Sequence, residues 1–471
     1  MLSELKYVIL RKCFMKDNGE SNSKKYIILS CGVLLFIACL CLGVVLLSGV
    51  GVTLFWPFDF SPESTLSSSP TPVSELPDQL ASVIAEIESQ VSEIRGLNKL
   101  EDVEHTLISA EELEQIVVED FFTDYSDQDA TQDVLVLSSL GLLPGEFDLK
   151  DFYESLYSEQ ISGFYDEEAK EIYVVQGQDF GGGEKLTYSH EFTHVLQDQI
   201  YGLNEGLGLN EEACEEDSER CAAIQALIEG DASQTEILWF QTHASREDYF
   251  DLMDMFELLE TPVLDSAPPF MSADLYFPYE NGLAFVQFLY DQGGFEAVDN
   301  AYLAPPLSTE QILHPEKYPD DVPLQVTLED LSGVLGSSWT LFDQNVMGEW
   351  YTYLILNKSY NQDYQLSESL ARDAAEGWGG DAYAFYLDEN TNQTIFIMDS
   401  IWDTNKDTDE FITAFEHYAS KRWEAVAGSS LGADIWQGEG VIVAFWQSGN
   451  RTVWVMAPNM ELLERIISEI Q

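Results

Sequence analysis

The stretch His190-Glu191-Phe192-Thr193-His194-Val195-Leu196-Gln197 sets two histidines four positions apart, with an acid beside the first. Positions i and i+4 share one face of a helix, so both imidazoles can reach one ion there. Glu191 is then placed to act on a water at that ion as general base. The flanks read as helix: Leu186, Phe192, Val195, Leu196 and Ile200 supply apolar positions, and 184–201 holds no Pro or Gly. Gly181-Gly182-Gly183 marks the loop leading in.

A catalytic zinc site takes three protein ligands and leaves a fourth position for water. Glu229 is the candidate third ligand. It follows Ala226-Leu227-Ile228 in a long helix expected over 220–243. A buried carboxylate is costly alone, and coordination removes that cost; a partly exposed helix acid is the plainer alternative. Another zincin pattern has Gly and a third His three and six residues past the second His. Gln197 and Ile200 stand there, which excludes it.

Upstream, residues 160–175 read as a β-hairpin about the polar turn 166–170. Leu80, Ile84, Ile87, Val91 and Ile94 form one stripe on a helix expected over 78–97, for packing or for a short coiled coil. Ser109 and Glu112 make a capping box opening a helix to about 125. Downstream, helical patterns run to about 375. Strand-like runs at 382–387, 394–399, 441–446 and 452–457 then alternate with helices near 408–423 and 460–470.

From Tyr26 to Phe58 no residue is charged, and a membrane helix needs only about 20 residues. Lys24 and Lys25 precede the run, which predicts a cytoplasmic N-terminus and an exported remainder. A cleaved signal would need a shorter apolar core. A lipoprotein signal could use Cys39, but apolar sequence continues well past it. Residues 57–77 are Ser/Pro/Thr-rich, as in an extended linker. Cys214 and Cys221, close together in an exported domain, predict a local disulfide rather than a metal pair.

Lys and Arg total 21 against 84 Asp and Glu, a net charge of −63. Nucleic-acid binding needs clustered cations, so this surface excludes it. His314, before Pro315, could stabilise the oxyanion of a peptide under attack or simply cap a turn; Tyr318 or Tyr279 could serve instead. Gly377-Trp378-Gly379-Gly380-Asp381 reads as a tight turn packed by its Trp.

HEFTH followed by an EGDA-bearing helix (229–232) resembles the gluzincin metallopeptidases, the group that includes thermolysin. More closely, the chain resembles a poorly characterised group of secreted or membrane-attached bacterial proteins. The shared phrases are IRGL at 94–97, SGFYDEEAKEIYVV at 162–175, HEFTHVLQDQ at 190–199, EGDA at 229–232, STEQILHPEKY at 308–318 and AAEGWGGD at 374–381. The resemblance implies zinc held by His190, His194 and Glu229, with Glu191 as base. Thermolysin-like enzymes orient a ligand His with an Asp four residues after the ligand Glu. Ser233 stands there, which leaves Asp198 as a candidate and Asp231 facing elsewhere.

The expected fold is α+β. A cytoplasmic tail (1–25), an anchor (26–56) and a linker (57–77) precede a zincin-like metallopeptidase domain (78–375) and a small α+β domain (376–471). The expected activity is hydrolysis of protein or peptide substrates outside the membrane. A non-catalytic surface binding protein and a zinc hydrolase of cell-wall cross-links are the alternatives.

Overall fold

The computed structural model describes residues 76–470, apart from 110–111, 113–114, 116–124, 161–162, 167–169, 176–179, 259–260 and 428–431. The apolar run, nearly all of the linker and most of the helix expected after Ser109 lie outside the described residues. Among the described residues no helix is long and apolar enough to cross a membrane.

The described chain is mixed α and β, with sixteen helices and two sheets. It begins with α1 (Asp78–Arg95), β1 (Glu104–Ile108), α2 (Asp127–Leu140), α3 (Leu149–Gln160), β2 (Gly163–Asp166) and β3 (Glu171–Val175). A helical run follows: α4 (Gly182–Tyr201), α5 (Glu211–Glu216), α6 (Ser218–His243), α7 (Arg246–Leu258), α8 (Pro262–Asp265), α9 (Pro269–Gly293), α10 (Phe295–Leu303), α11 (Thr309–Leu313) and α12 (Ser332–Leu335). Next come β4 (Trp339–Asn345), α13 (Gly348–Asn357), α14 (Glu368–Ala375), β5 (Trp378–Asp388), β6 (Gln393–Trp402) and α15 (Asn405–Arg422). The last elements are β7 (Glu424–Ala425), β8 (Asp434–Gly438), β9 (Val441–Ser448), β10 (Arg451–Ala457) and α16 (Met460–Ile470).

The stripe on α1 meets the domain itself. Ile84, Ile87 and Val91 are buried with Phe192, Val195 and Leu196 of α4 and Trp239 and Phe240 of α6. The expected hairpin forms, and β1 joins it in parallel beside β3, giving the order β1-β3-β2. Asp198 on α4 pins the hairpin, accepting from Tyr165 Oη at 2.7 Å and Lys170 Nζ at 2.6 Å. Helices α6 and α9 cross at two glycines. A Cβ on Gly230 would lie 2.2 Å from the Gly282 carbonyl carbon, so only bare backbone fits there.

The second sheet has the order β4-β5-β6-β10-β9-β8-β7, with antiparallel pairings throughout. Both of its faces are covered, so alternate residues of one strand enter different cores. Trp454 and Met456 pack with Phe411, Phe415 and Tyr418 of α15. Val453, Val455 and Ala457 pack with Leu463, Ile466 and Ile467 of α16. The sheet takes its first strand from 339–345, ahead of the expected boundary at 376. Its α15 face shares one core with α6 and α9, so helices and sheet are continuous in packing.

Polar contacts weld the two parts. Cys214 and Cys221 form the expected disulfide at the α5–α6 junction. Asn345 accepts from Ser218 N at 2.8 Å and donates to the carbonyls of Cys214 and Glu215. The expected turn at 377–381 is the bulged start of β5, with Trp378 buried. Asp381 accepts from the backbone N–H groups of Met347 and Gly348 at the start of α13.

Many carboxyls are buried. Burial pushes Asp274 and Asp381 up to about 6 and Glu310 up to about 8. It also raises Asp133, Asp343 and Glu219 well above the ordinary range. The folded chain therefore holds protons that the unfolded chain has released between about pH 4 and these raised values, and stability falls as pH rises through that window. Carboxyls held low, such as Glu88 and Asp248, lose their contribution only below about pH 4. The expected outcome is a higher melting midpoint at pH 5 than at pH 8, measured by calorimetry with a chelator present; the reverse order would refute it.

Candidate metal centre

Helix α4 presents His190, Glu191 and His194, and the neighbouring α6 presents Glu229. All four are buried, Glu229 completely. The two imidazole centroids lie 4.8 Å apart. Glu229 Oε2 is 3.2 Å from His190 Nε2 and 3.6 Å from His194 Nε2. One ligand atom from each of these three residues falls within 4.8 Å of the others, a spacing that could hold one metal ion.

The donor set fits a divalent cation such as zinc. His194 Nε2, Glu229 Oε1 and Glu191 Oε1 are buried and have no hydrogen-bond partner. Such atoms are rare in folded proteins unless something else satisfies them. Two imidazole nitrogens and a carboxylate oxygen are ordinary zinc donors. Burial opposes charge on His190, but Glu236 and Glu229 overcome it and push it up to about 10. Burial also opposes the Glu229 carboxylate, yet His194 and His190 hold it below its ordinary value. A cation bound here would compete with protons on the histidines to neutralise the same acid.

The other ring nitrogens are held too. His190 Nδ1 lies 3.0 Å from Glu236 Oε2, and His194 Nδ1 lies 2.8 Å from Gln197 Oε1. Both contacts leave Nε2 toward Glu229. The orienting group is therefore Glu236, seven residues past Glu229 and on the same face of α6. Ser233, at the thermolysin-like position, is buried with an unpartnered hydroxyl. Asp198 serves the hairpin. Asp231 does not face a ligand directly, but it receives Gln197 Nε2 at 3.0 Å. The seven-residue spacing to Glu236 was available in the sequence; Gln197 carried no comparable signal.

Glu191 is fixed at one oxygen only: Tyr165 N donates to Oε2 at 3.1 Å. Burial raises its carboxyl to about 7, against the pull of His194 and His190. His314 is not in this group, and its Nε2 lies 2.9 Å from Glu349 Oε1. Its helix α11 touches α6 through Thr309 and Glu219, ten residues or about 15 Å along α6 from Glu229. Tyr318 donates to the Ala304 carbonyl at 2.8 Å. Tyr279 is the alternative that lies beside the histidines, its ring centroid 6.5 Å from that of His190.

Residues 340–467 match one family model, described as Domain of unknown function (DUF8575). The match covers the second sheet from β4 into α16 and leaves the histidine helix outside. No curated protein and no solved structure matches the chain.

Glu236→Gln should weaken zinc affinity roughly 10–100-fold, whereas Ser233→Ala should leave it unchanged. Competition against a chromophoric chelator measures both; the opposite ranking would return the orienting role to position 233.

Proposed function

We propose that this chain is a zinc metallopeptidase of the gluzincin kind, with a zincin-like catalytic half, anchored by its N-terminal apolar run and acting outside the cytoplasm. The observation that carries the reading is the buried trio His190, His194 and Glu229, whose ligand atoms converge and of which His194 Nε2 and Glu229 Oε1 have no hydrogen-bond partner. Intact ligands plus an adjoining acid favour catalysis over a retired binding fold.

His190, His194 and Glu229 would hold the ion, with Glu236 and Gln197 fixing the two rings. Zinc, when bound, supplies Lewis acidity and makes water more acidic. Glu191 does the proton work. Tyr165 N–H steadies Oε2, and Oε1 remains to take a proton from the attacking water and pass it to the leaving amine. Tyr279 takes the oxyanion role considered for His314, since its ring packs near that of His190. The acidic surface gives solubility and repels anionic polymers, consistent with a peptide substrate.

Purified full-length protein should contain one zinc and cleave members of a peptide library. Glu191→Gln should abolish cleavage yet retain the metal, because Glu191 is not a ligand. His190→Ala, His194→Ala and Glu229→Ala should each lose it. Stoichiometric zinc and full activity in Glu229→Ala would overturn the ligand assignment; a peptide-inactive, cell-wall-active protein would move the substrate class.

A further inference from the structure

We infer that Arg95 is a positioning residue for the metal centre, acting through Asp231 and Gln197 to fix which nitrogen of His194 carries its proton. The inference rests on the metal-centre reading above and concerns groups beyond the ligands.

Arg95 ends α1 and is fully buried. Its Nε lies 2.7 Å and 3.0 Å from the two oxygens of Asp231, itself fully buried. Its Nη1 reaches Asp299 at 2.7 Å, and the guanidinium stacks over Phe295 at 4.7 Å. Asp231 Oδ2 also accepts from Tyr302 Oη at 2.9 Å and Gln197 Nε2 at 3.0 Å.

Gln197 is where charge becomes orientation. Its Nε2 also donates to the Ile228 carbonyl at 3.0 Å. A carboxylate and a carbonyl are both pure acceptors, so the amide has one satisfactory orientation, with NH₂ toward them. Oε1 then faces His194 Nδ1 at 2.8 Å. An amide oxygen only accepts, so Nδ1 carries the hydrogen and Nε2 offers its lone pair toward Glu229.

Arg95 keeps this chain in register by fixing the Asp231 carboxylate in place, its Nε reaching both oxygens while Oδ2 stays turned to Gln197 and Tyr302. Without Arg95 the carboxylate can swing away, and the Gln197 amide, losing the acceptor that holds its NH₂ group, can turn. Its NH₂ group would face Nδ1 and favour the tautomer with hydrogen on Nε2, which cannot ligate. The first helix after the linker thus contributes a charge on which a ligand of the centre depends.

The test measures zinc affinity of the full chain by chelator competition, together with the visible spectrum of its cobalt-substituted form. Arg95→Gln should weaken zinc binding 10–100-fold and alter the cobalt bands, and Arg95→Lys should recover part of the loss. Gln197→Met leaves the Arg95–Asp231 pair in place and should show a similar loss. Adding Arg95→Gln to Gln197→Met should change the affinity little further, because both act through one chain. Should Arg95→Gln not fold, Asp231→Asn carries the comparison with Gln197→Met. Cooperative melting with parental zinc affinity and cobalt spectrum in Arg95→Gln would overturn the inference while leaving the centre standing. So would losses that simply add in the double variant. Absence of zinc binding by the parent protein would overturn the centre itself, and the inference with it.

Discussion

Helix α6 buries three carboxylates, Glu229, Asp231 and Glu236, at zero exposure within little more than two turns. Removing an ion from water costs roughly several kcal/mol even after relaxation, so no such helix is stable alone. Each acid is met from outside α6. Glu229 faces two histidines of α4, Glu236 backs the first of them, and Asp231 takes Arg95 from α1 and Tyr302 from α10. The helices around α6 are thus placed by charge compensation as well as by apolar packing. The histidines that face Glu229 offset its charge when protonated, and under the proposed function a shared cation would take over that part.

Features that follow a period or a short motif were legible in the sequence. The α1 stripe, the β2–β3 hairpin, α4, α6 and the four longest C-terminal strands follow from apolar spacing and turn residues. The paired histidines and Glu229 were legible because ligand chemistry restricts residue type and spacing. Gln197 and Arg95 were not. A buried amide or guanidinium carries the same letters as an exposed one, and only the fold shows which polar side chains are enclosed. Asp198 shows the converse: its spacing from His194 suited a ligand partner, yet the hairpin turn claims it.

The second sheet was readable strand by strand but not in extent. Strand β4 lies before α13 and α14, so its partnership with β5 is long-range and leaves little local trace. The weld at this boundary is polar. Asn345 grips the disulfide junction, Asp381 tops α13, and Glu219 receives Thr309 beneath Gly348. Gly348 has a φ of 74°, and any Cβ there would strike the Glu219 carboxylate. A shared core and these contacts tie the sheet to the N-terminal end of the helix that carries Glu229.

The crossing of α6 and α9 limits which sequences can keep this helix pairing. Gly230 lies between Glu229 and Asp231, and it is bare because Gly282 presses against it; Gly282 in turn fits against the Ala226 carbonyl. Each glycine is kept bare by the backbone of the opposite helix, so neither can take a larger side chain while the crossing is kept. A distant homologue that keeps the crossing must inherit both, whatever becomes of its surface. One that retains the acidic motif but has a bulky residue opposite has lost this helix pairing, and with it the geometry that brings Glu229 to the histidines. The pair therefore marks this helix crossing where a short acidic motif alone would not.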